Sequence, residues 1–290
     1  MKYFTALWII FCLGCATTTT KSNDLDYKYY YLSIAKADSL LFVGKNEQAY
    51  LIFDSLYKKY DFRNGFRTNE YFYYLISKAN SNKKISKADL ERCFSTYGIR
   101  KRAVLAHPIL KEAYRKYKIE TSYEKLKKMY LASVDLKLRA QMSAMLEQDQ
   151  YYRSNEDNPD KMKQTDLENE KILKSLFDKE IYPDELVVGN YHIDNSFYGI
   201  ETLLLHTNDS SRTTYFLPKI KKFVARGVCS PYTYALLVDQ MYIYRGENQI
   251  YGTYSGSNLR KEDFAKYNKN RRALDIGLPS IQYDVWRRER

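Results

Sequence analysis

Three ionisable side chains occupy helix positions at which the hydrophobic period predicts core residues. One predicted helix carries its apolar stripe into Asp149, a later one carries it into Asp239, and the last carries it into Arg271. A buried charge is costly unless it is paired and hydrogen-bonded. Arg153 follows Asp149 by four residues, so the two can pair along the helix. We therefore expect one polar cluster of Asp149, Arg153, Asp239 and Arg271.

Two interpretations of this cluster stay open at this stage. In the first, it is a network of salt bridges that fixes how the helices pack. In the second, it is a ligand or catalytic site with shifted carboxyl pKa values, in which Asp149 or Asp239 acts as general base and Arg271 binds an anion. His206, directly after the apolar residues 203–205, is then the candidate acid–base group. A histidine hydrogen-bonded within the core is the alternative.

Familiar catalytic and cofactor motifs are absent from the sequence. It contains no G-x-S-x-G, H-E-x-x-H, Walker or G-x-G-x-x-G pattern. The S-x-x-K matches, such as the one that begins at Ser33, stand without the companion motifs of penicillin-binding enzymes, so we attribute them to a lysine-rich helical chain. The three histidines are not at ligand spacing, and we predict neither a metal nor another cofactor.

The elements that would position these residues are mainly helices. Residues 26–120 predict helical hairpins, with Tyr30, Ile34, Ala37 and Leu41 on one face of the first helix. The hairpins loosely resemble tetratricopeptide repeats. Residues 121–290 predict a C-terminal helical domain with one small β element at residues 249–254. Gly252 in that segment indicates a bulge or a close backbone approach, and a single glycine argues against a phosphate-binding loop.

The order of short motifs in the C-terminal region resembles a bacterial domain family of unknown function. The motifs are Asp149-Gln-x-x-Arg153, His206, residues 239–240, Tyr251-Gly-Thr253, residues 271–272 and residues 277–279, together spanning about residues 135–283. This chain departs from the family pattern at Leu205, Asn208, Gln240 and Tyr254. The family has no established activity, so the resemblance implies a helical fold and leaves the mechanism open.

The N-terminal residues have the features of an export signal. Lys2 precedes the apolar residues 3–13, and Gly14 and Cys15 follow. Small residues before a cysteine resemble the lipobox of bacterial lipoproteins, in which the thiol is lipidated. We therefore predict a signal peptide at 1–14, lipidation of Cys15 and a tether at 15–25. An ordinary signal peptide and an uncleaved anchor are the alternatives. Ala16 favours sorting to the outer membrane, facing the periplasm.

Charge and cysteine content limit the possible partners. The net charge of +12 favours an anionic envelope component or an acidic protein. Nucleic acid is not expected, because the basic residues are spread along the chain and the protein is exported. Cys93 and Cys229 lie in separate predicted regions beside apolar residues, so two buried thiols are favoured over a disulfide.

These observations predict a lipid-anchored protein of the bacterial cell envelope. Our leading hypothesis is a non-enzymatic binding or scaffolding module, attached to the membrane by its lipid and contacting a protein or anionic envelope partner. The alternative is a hydrolase-like enzyme with a buried Asp/His/Arg site. The sequence alone does not decide whether the protein is an enzyme.

Overall fold

Helices make up most of the structure. The computed structural model describes residues 25–60, 62, 70–154, 158–254 and 259–289. Short 3-10 turns cover Ile119–Thr121 and Lys261–Asp263, and a π-helical stretch covers Arg212–Phe216. The helices are α1 Tyr27–Phe42, α2 Asn46–Lys59, α3 Glu70–Asn80, α4 Lys87–Ser95, α5 Lys101–Ala106, α6 Pro108–Lys116, α7 Tyr123–Ala132, α8 Leu136–Ser154, α9 Pro159–Asp178, α10 Glu185–Val188, α11 Ile200–Leu205, α12 Asp209–Ser211, α13 Leu217–Ala225, α14 Pro231–Tyr244, α15 Phe264–Leu274 and α16 Ile281–Arg288.

Local sequence signals set several helix ends. Ser86 caps α4 and forms the predicted capping box with Asp89, so two otherwise unpaired backbone N–H groups gain partners. Ser230 caps α14, and Pro231 takes its first helical position. Gly44 follows α1 with φ of +77°, a conformation that terminates a helix. These boundaries confirm the mainly helical prediction.

The hairpin region packs α1 against α2 and α2 against α3. Its core is aromatic: Tyr30 and Phe53 are fully buried, and Tyr30 packs against Tyr60. The Tyr30 hydroxyl donates to the carboxylate of Glu70. Tyrosine suits such a core because its ring is buried while its hydroxyl keeps a partner. The helical hairpins agree with the prediction, and the likeness to tetratricopeptide repeats stays a prediction.

The hairpin region and the C-terminal region share one hydrophobic core. Tyr31 of α1 has its hydroxyl 2.9 Å from the carbonyl oxygens of Val224 and Cys229. The Tyr283 hydroxyl donates to the buried carboxylate of Asp38 at 2.6 Å. Residues from both sides of the predicted domain boundary near residue 120 therefore pack into the same core. The boundary itself stays a prediction.

The predicted β element is wrong. Within the described part of the chain there is no β-strand, and residues 249–254 form an irregular loop. The backbone N–H groups of Ile250, Tyr251 and Thr253 donate to the side chain of Asp239 instead of to a neighbouring strand. Tyrosine and threonine favour strands only where a strand partner is present, and here a carboxylate replaces that partner.

Two further features concern the membrane and the thiols. Among the described helices, none has the length and apolar character needed to cross a bilayer. The predicted signal peptide and Cys15 lie outside the described residues.

Cys93 and Cys229 are both buried free thiols, which confirms the preference for thiols over a disulfide. Burial raises the pKa of each.

Candidate functional site

Helices α8, α9 and α11 contact one another and bring four polar side chains together. Asp149 lies on the inward face of α8 and is fully buried, and Arg153 follows one turn later. α9 supplies Asp166, and His206 stands at the C-terminal cap of α11. Arg153, Asp166 and His206 remain partly exposed. These four residues are called the aspartate–histidine cluster below.

Asp149 is the centre of this cluster. His206 Nδ1 lies 2.8 Å from Asp149 Oδ1, and Gln150 donates to Oδ2 at 2.7 Å. Arg153 Nε lies 3.3 Å from both carboxylate oxygens and 3.0 Å from His206 Nδ1. One ring nitrogen cannot both donate and accept. We assign it as the donor to Asp149, because that contact is the shorter one and is charge-assisted.

The two acids of the cluster respond differently to their surroundings. Burial acts to raise the pKa of Asp149, but the hydrogen bonds from His206, Arg153 and Gln150 outweigh it and hold that pKa below its ordinary value. Asp166 has its pKa raised by burial, which Arg153 offsets only in part, although Arg153 Nη2 lies 2.5 Å from its carboxylate. Asp149 is therefore the ionised partner of His206.

Asp149, Asp166 and His206 also form a group with metal-ligand chemistry. One ligand atom from each lies within 4.8 Å of the others. The guanidinium of Arg153 donates to both carboxylates from the middle of this group, so it supplies the positive charge that a metal ion would bring. A cation could enter only if Arg153 withdrew. The donor set therefore fits an internal ion pair better than a metal site.

Asp239 is buried as predicted, but its partners differ from the predicted ones. It is fully buried, and each of its oxygens accepts two hydrogen bonds. Oδ1 accepts from the backbone N–H of Ile250 at 2.7 Å and of Tyr251 at 2.8 Å. Oδ2 accepts from the backbone N–H and the hydroxyl of Thr253, at 2.8 and 2.7 Å. Asp239 thus fixes the conformation of the loop at residues 249–254, with both carboxylate oxygens already bonded.

Arg271 holds the other side of the same loop. Its Nε donates to the carbonyl of Tyr251 at 2.7 Å, and its Nη1 donates to the carbonyl of Pro279 at 2.8 Å and to Asp284 at 2.7 Å. Arg271 and Asp239 therefore bond to the same peptide segment without bonding to each other. Arg271 therefore connects the loop to the first turn of α16 through hydrogen bonds.

The single predicted cluster is divided between two places. Asp149 pairs with Arg153 and gains His206, as expected. Within the described residues, no hydrogen bond or ion pair joins Asp149 to Asp239 or to Arg271. The reason is that backbone N–H groups of the loop bond to Asp239, whereas loop carbonyls and Asp284 bond to Arg271. The hydrophobic period of a helix carries no information about such partners.

Two buried arginines were missed by the sequence reasoning. Arg139 donates to both carboxylate oxygens of Asp194 and to three backbone carbonyls. It precedes Met142 by three residues on the inward face of α8, so the period could have identified it. Arg212 donates to Gln240 and to the carbonyls of residues 205 and 207. It begins the π-helical stretch, where the helical period fails.

A separate cavity of about 280 Å³ opens beside the first turn of α11. Tyrosine and phenylalanine rings form much of its wall, and three acidic side chains also line it. We call it the aromatic cavity. Its aromatic and acidic lining residues are Tyr182, Asp184, Glu185, Tyr191, Phe197, Tyr198 and Glu201.

Comparison of the chain with protein-family models, with curated proteins and with solved structures finds no match.

Proposed function

We propose that the protein is a lipid-anchored binding module of the bacterial cell envelope. The residues before the described part of the chain would anchor it, and the folded helices would bind a ligand or partner outside the membrane. The observation that carries the binding role is the aromatic cavity, because a concave site with aromatic walls and a few polar groups is typical of small-molecule binding.

The sequence supports the anchor. Lys2, the apolar residues 3–13 and the Leu13-Gly-Cys15 ending are the features that lead to lipidation of a cysteine. The acyl chains would hold the protein at the membrane, since two or more chains bind far more stably than one. Ala16 in place of an acidic residue supports the outer membrane, on its periplasmic face.

The polar groups singled out from the sequence support binding over catalysis. Asp239 and Arg271 are occupied by loop contacts, which removes one proposed base and the proposed anion clamp. Arg153 neutralises the carboxylates of the aspartate–histidine cluster. These contacts stabilise the packing of the helices and leave the aromatic cavity as the concave site of the proposed module.

Labelling with radioactive palmitate in a bacterial host tests the anchor. We expect the label to enter the wild-type protein and the Cys12→Ser variant but not Cys15→Ser, which should also leave the membrane fraction. Cys12 is the matched control because it is a thiol within the same leader. Label that persists in Cys15→Ser, or that never enters the wild type, would refute the anchoring.

A hydrolase-like enzyme is the second candidate. The observation in its favour is the 2.8 Å contact between Asp149 and the partly exposed ring of His206, since a carboxylate orients and activates a histidine base in this way. Only this part of the predicted Asp/His/Arg site keeps the geometry for acid–base work. A measurement of stability discriminates between the two roles.

His206→Gln is the variant that separates the two. If the cluster is structural, the variant should lose about 2 kcal/mol in urea unfolding, because buried Asp149 loses a charge-assisted donor. Catalytic groups are often retained at a cost in stability, so an unchanged or raised unfolding midpoint would favour the enzyme.

A further inference from the structure

The aromatic cavity combines an excess of acid with aromatic walls. Its lining includes the carboxyl groups of Asp184, Glu185 and Glu201 and no basic side chain, although the chain as a whole carries a net charge of +12. Exposed Phe197 and Tyr191 stand among its lining residues. In a chain with more basic than acidic residues, a lining with acidic side chains alone is the opposite of what a random distribution would give. This excess of acid favours a positively charged ligand.

The acids lie close enough to one another to act on a common aromatic ring. Burial, together with the carboxyl groups of Glu185, Glu201 and Asp184, raises the pKa of Tyr198 well above its ordinary value. The same arrangement of negative charge around an aromatic face attracts an organic cation, because the ring face itself carries partial negative charge.

Glu201 accepts from its own backbone N–H, and its side-chain partners are weak. Its Oε1 lies 3.3 Å from the hydroxyl of Thr233 and 3.5 Å from that of Tyr182, both long for hydrogen bonds between oxygen atoms. No ion pair to Glu201 is present in the described part of the chain. Burial raises the pKa of Glu201, so a cation placed beside it would restore a stable carboxylate.

Arg139, whose guanidinium lies over the Tyr198 ring, has its own partners and makes no ion pair with Glu201. Arg139 lies 5.7 Å from the centre of the Tyr198 ring. Its Nε donates to Asp194, one amino group donates to the carbonyls of Val188 and Gly189, and the other donates to Asp194 and to the carbonyl of Ser196. A guanidinium has five N–H donors, and all five are used here.

We propose that the aromatic cavity binds a small organic ammonium ion, whose charge pairs with Glu201 while its apolar part packs against Phe197 and Tyr198. The cavity volume of about 280 Å³ lies near the lower end of the range for small-molecule sites, roughly 300–1,000 Å³, so a free amine with one ring or a short chain fits it. This inference rests on the proposed binding function and names its ligand class.

Isothermal titration calorimetry of the purified full chain with three matched probes tests the ligand class. The probes are the phenethylammonium ion, the neutral alcohol 2-phenylethanol and the anion 3-phenylpropanoate. We expect the ammonium ion to bind at least about ten-fold more tightly than the alcohol, and the anion not to bind, because ion pairing and cation–π attraction both require positive charge. Equal binding of the alcohol, or no saturation by the ammonium ion, would overturn the proposal.

Glu201→Gln tests the ion pair. We expect it to weaken ammonium binding about ten-fold and to leave the weak binding of the alcohol unchanged. Glu262→Gln, which removes an exposed acid outside the cavity, is the control for the change in net charge and should bind as the wild type does. Phe197→Ala removes an exposed ring and should weaken binding without affecting the fold. An unchanged affinity in both cavity variants would refute the site.

Proton release gives a second measure of the same contact. Because Glu201 with a raised pKa must ionise to pair with the ligand, ammonium binding should release protons in mildly acidic buffer, seen as a dependence of the measured heat on the buffer's ionisation enthalpy. Glu201→Gln should abolish this release, and persistence of the release in that variant would contradict the pairing. If the protein incorporates palmitate but does not bind the ammonium ion, the proposed ligand class is refuted and the proposed lipid anchor is retained.

Discussion

Replacing Asp239 with asparagine tests whether this carboxylate is structural. The wild-type side chain accepts four hydrogen bonds, two at each oxygen, from Ile250, Tyr251 and Thr253. Asparagine keeps one oxygen with its two donors. Its amide nitrogen, which is itself a donor, then faces the other two donors. Each of the two lost bonds to a charged acceptor contributes about 1.5–3 kcal/mol.

The expected loss is smaller than the sum of those bonds. The neutral variant no longer buries a charge, and this gain offsets part of the loss. We therefore expect Asp239→Asn to lower the free energy of unfolding by about 3 kcal/mol. For a chain of this length, that corresponds to a melting temperature lower by roughly 6–12 °C.

Urea unfolding followed by circular dichroism measures the loss, and amide hydrogen exchange locates it. The amides of Ile250, Tyr251 and Thr253 should lose protection in the variant more than the rest of the chain does. Asp275→Asn is the control, because Asp275 is largely exposed, pairs with Lys28 at the surface and has a φ of +55° that asparagine tolerates. The control should change stability by less than about 1 kcal/mol. A loss under about 1 kcal/mol for Asp239→Asn, with those three amides still protected, would refute the structural role.

Two further predictions concern a close contact and an ion pair. Gly277→Ala should cost about 2–4 kcal/mol in urea unfolding, because φ is +82° and a Cβ would lie 2.8 Å from the Cα of Lys28. Gly44→Ala, with φ of +77° and open space around it, should cost only about 1 kcal/mol, and equal costs would contradict the contact. Arg139 lowers the pKa of Asp194 to about 2, so the stability from this pair is present above pH 4 and is lost as the pH falls from about 4 towards 2. Because Asp194 is partly exposed, we expect this ion pair to contribute only about 1 kcal/mol to the free energy of unfolding. Asp194→Asn should remove this part of the dependence of stability on acid pH.

Much of the helical framework could be predicted from the sequence. The capping box at Ser86, the proline after Ser230 and the glycine after α1 act through hydrogen bonds within a few residues, so local sequence is sufficient to locate them. The pairing of Asp149 with Arg153 is of the same kind, because residues four apart on a helix are neighbours.

Local sequence was not sufficient to predict the structure of residues 249–254 or the partners of the buried charges. A segment with the composition of a strand becomes one only if another strand accepts its hydrogen bonds. Here Asp239, which precedes the donor residues by 11 to 14 positions, accepts them instead. Arg271 and Arg212 likewise bond mainly to backbone carbonyls of loops, whose positions depend on the whole fold.

The sequence by itself determined that the protein is mainly helical, that Asp149, Asp239 and Arg271 are buried, and that the two inner cysteines remain thiols. It did so because helix formation and burial follow from short-range hydrogen bonds and from the period of apolar residues. Only the tertiary structure decided which partner each buried charge takes and where aromatic and acidic side chains surround a cavity. Those contacts join residues far apart in the chain, and their free energy depends on distances that exist only after the helices have packed.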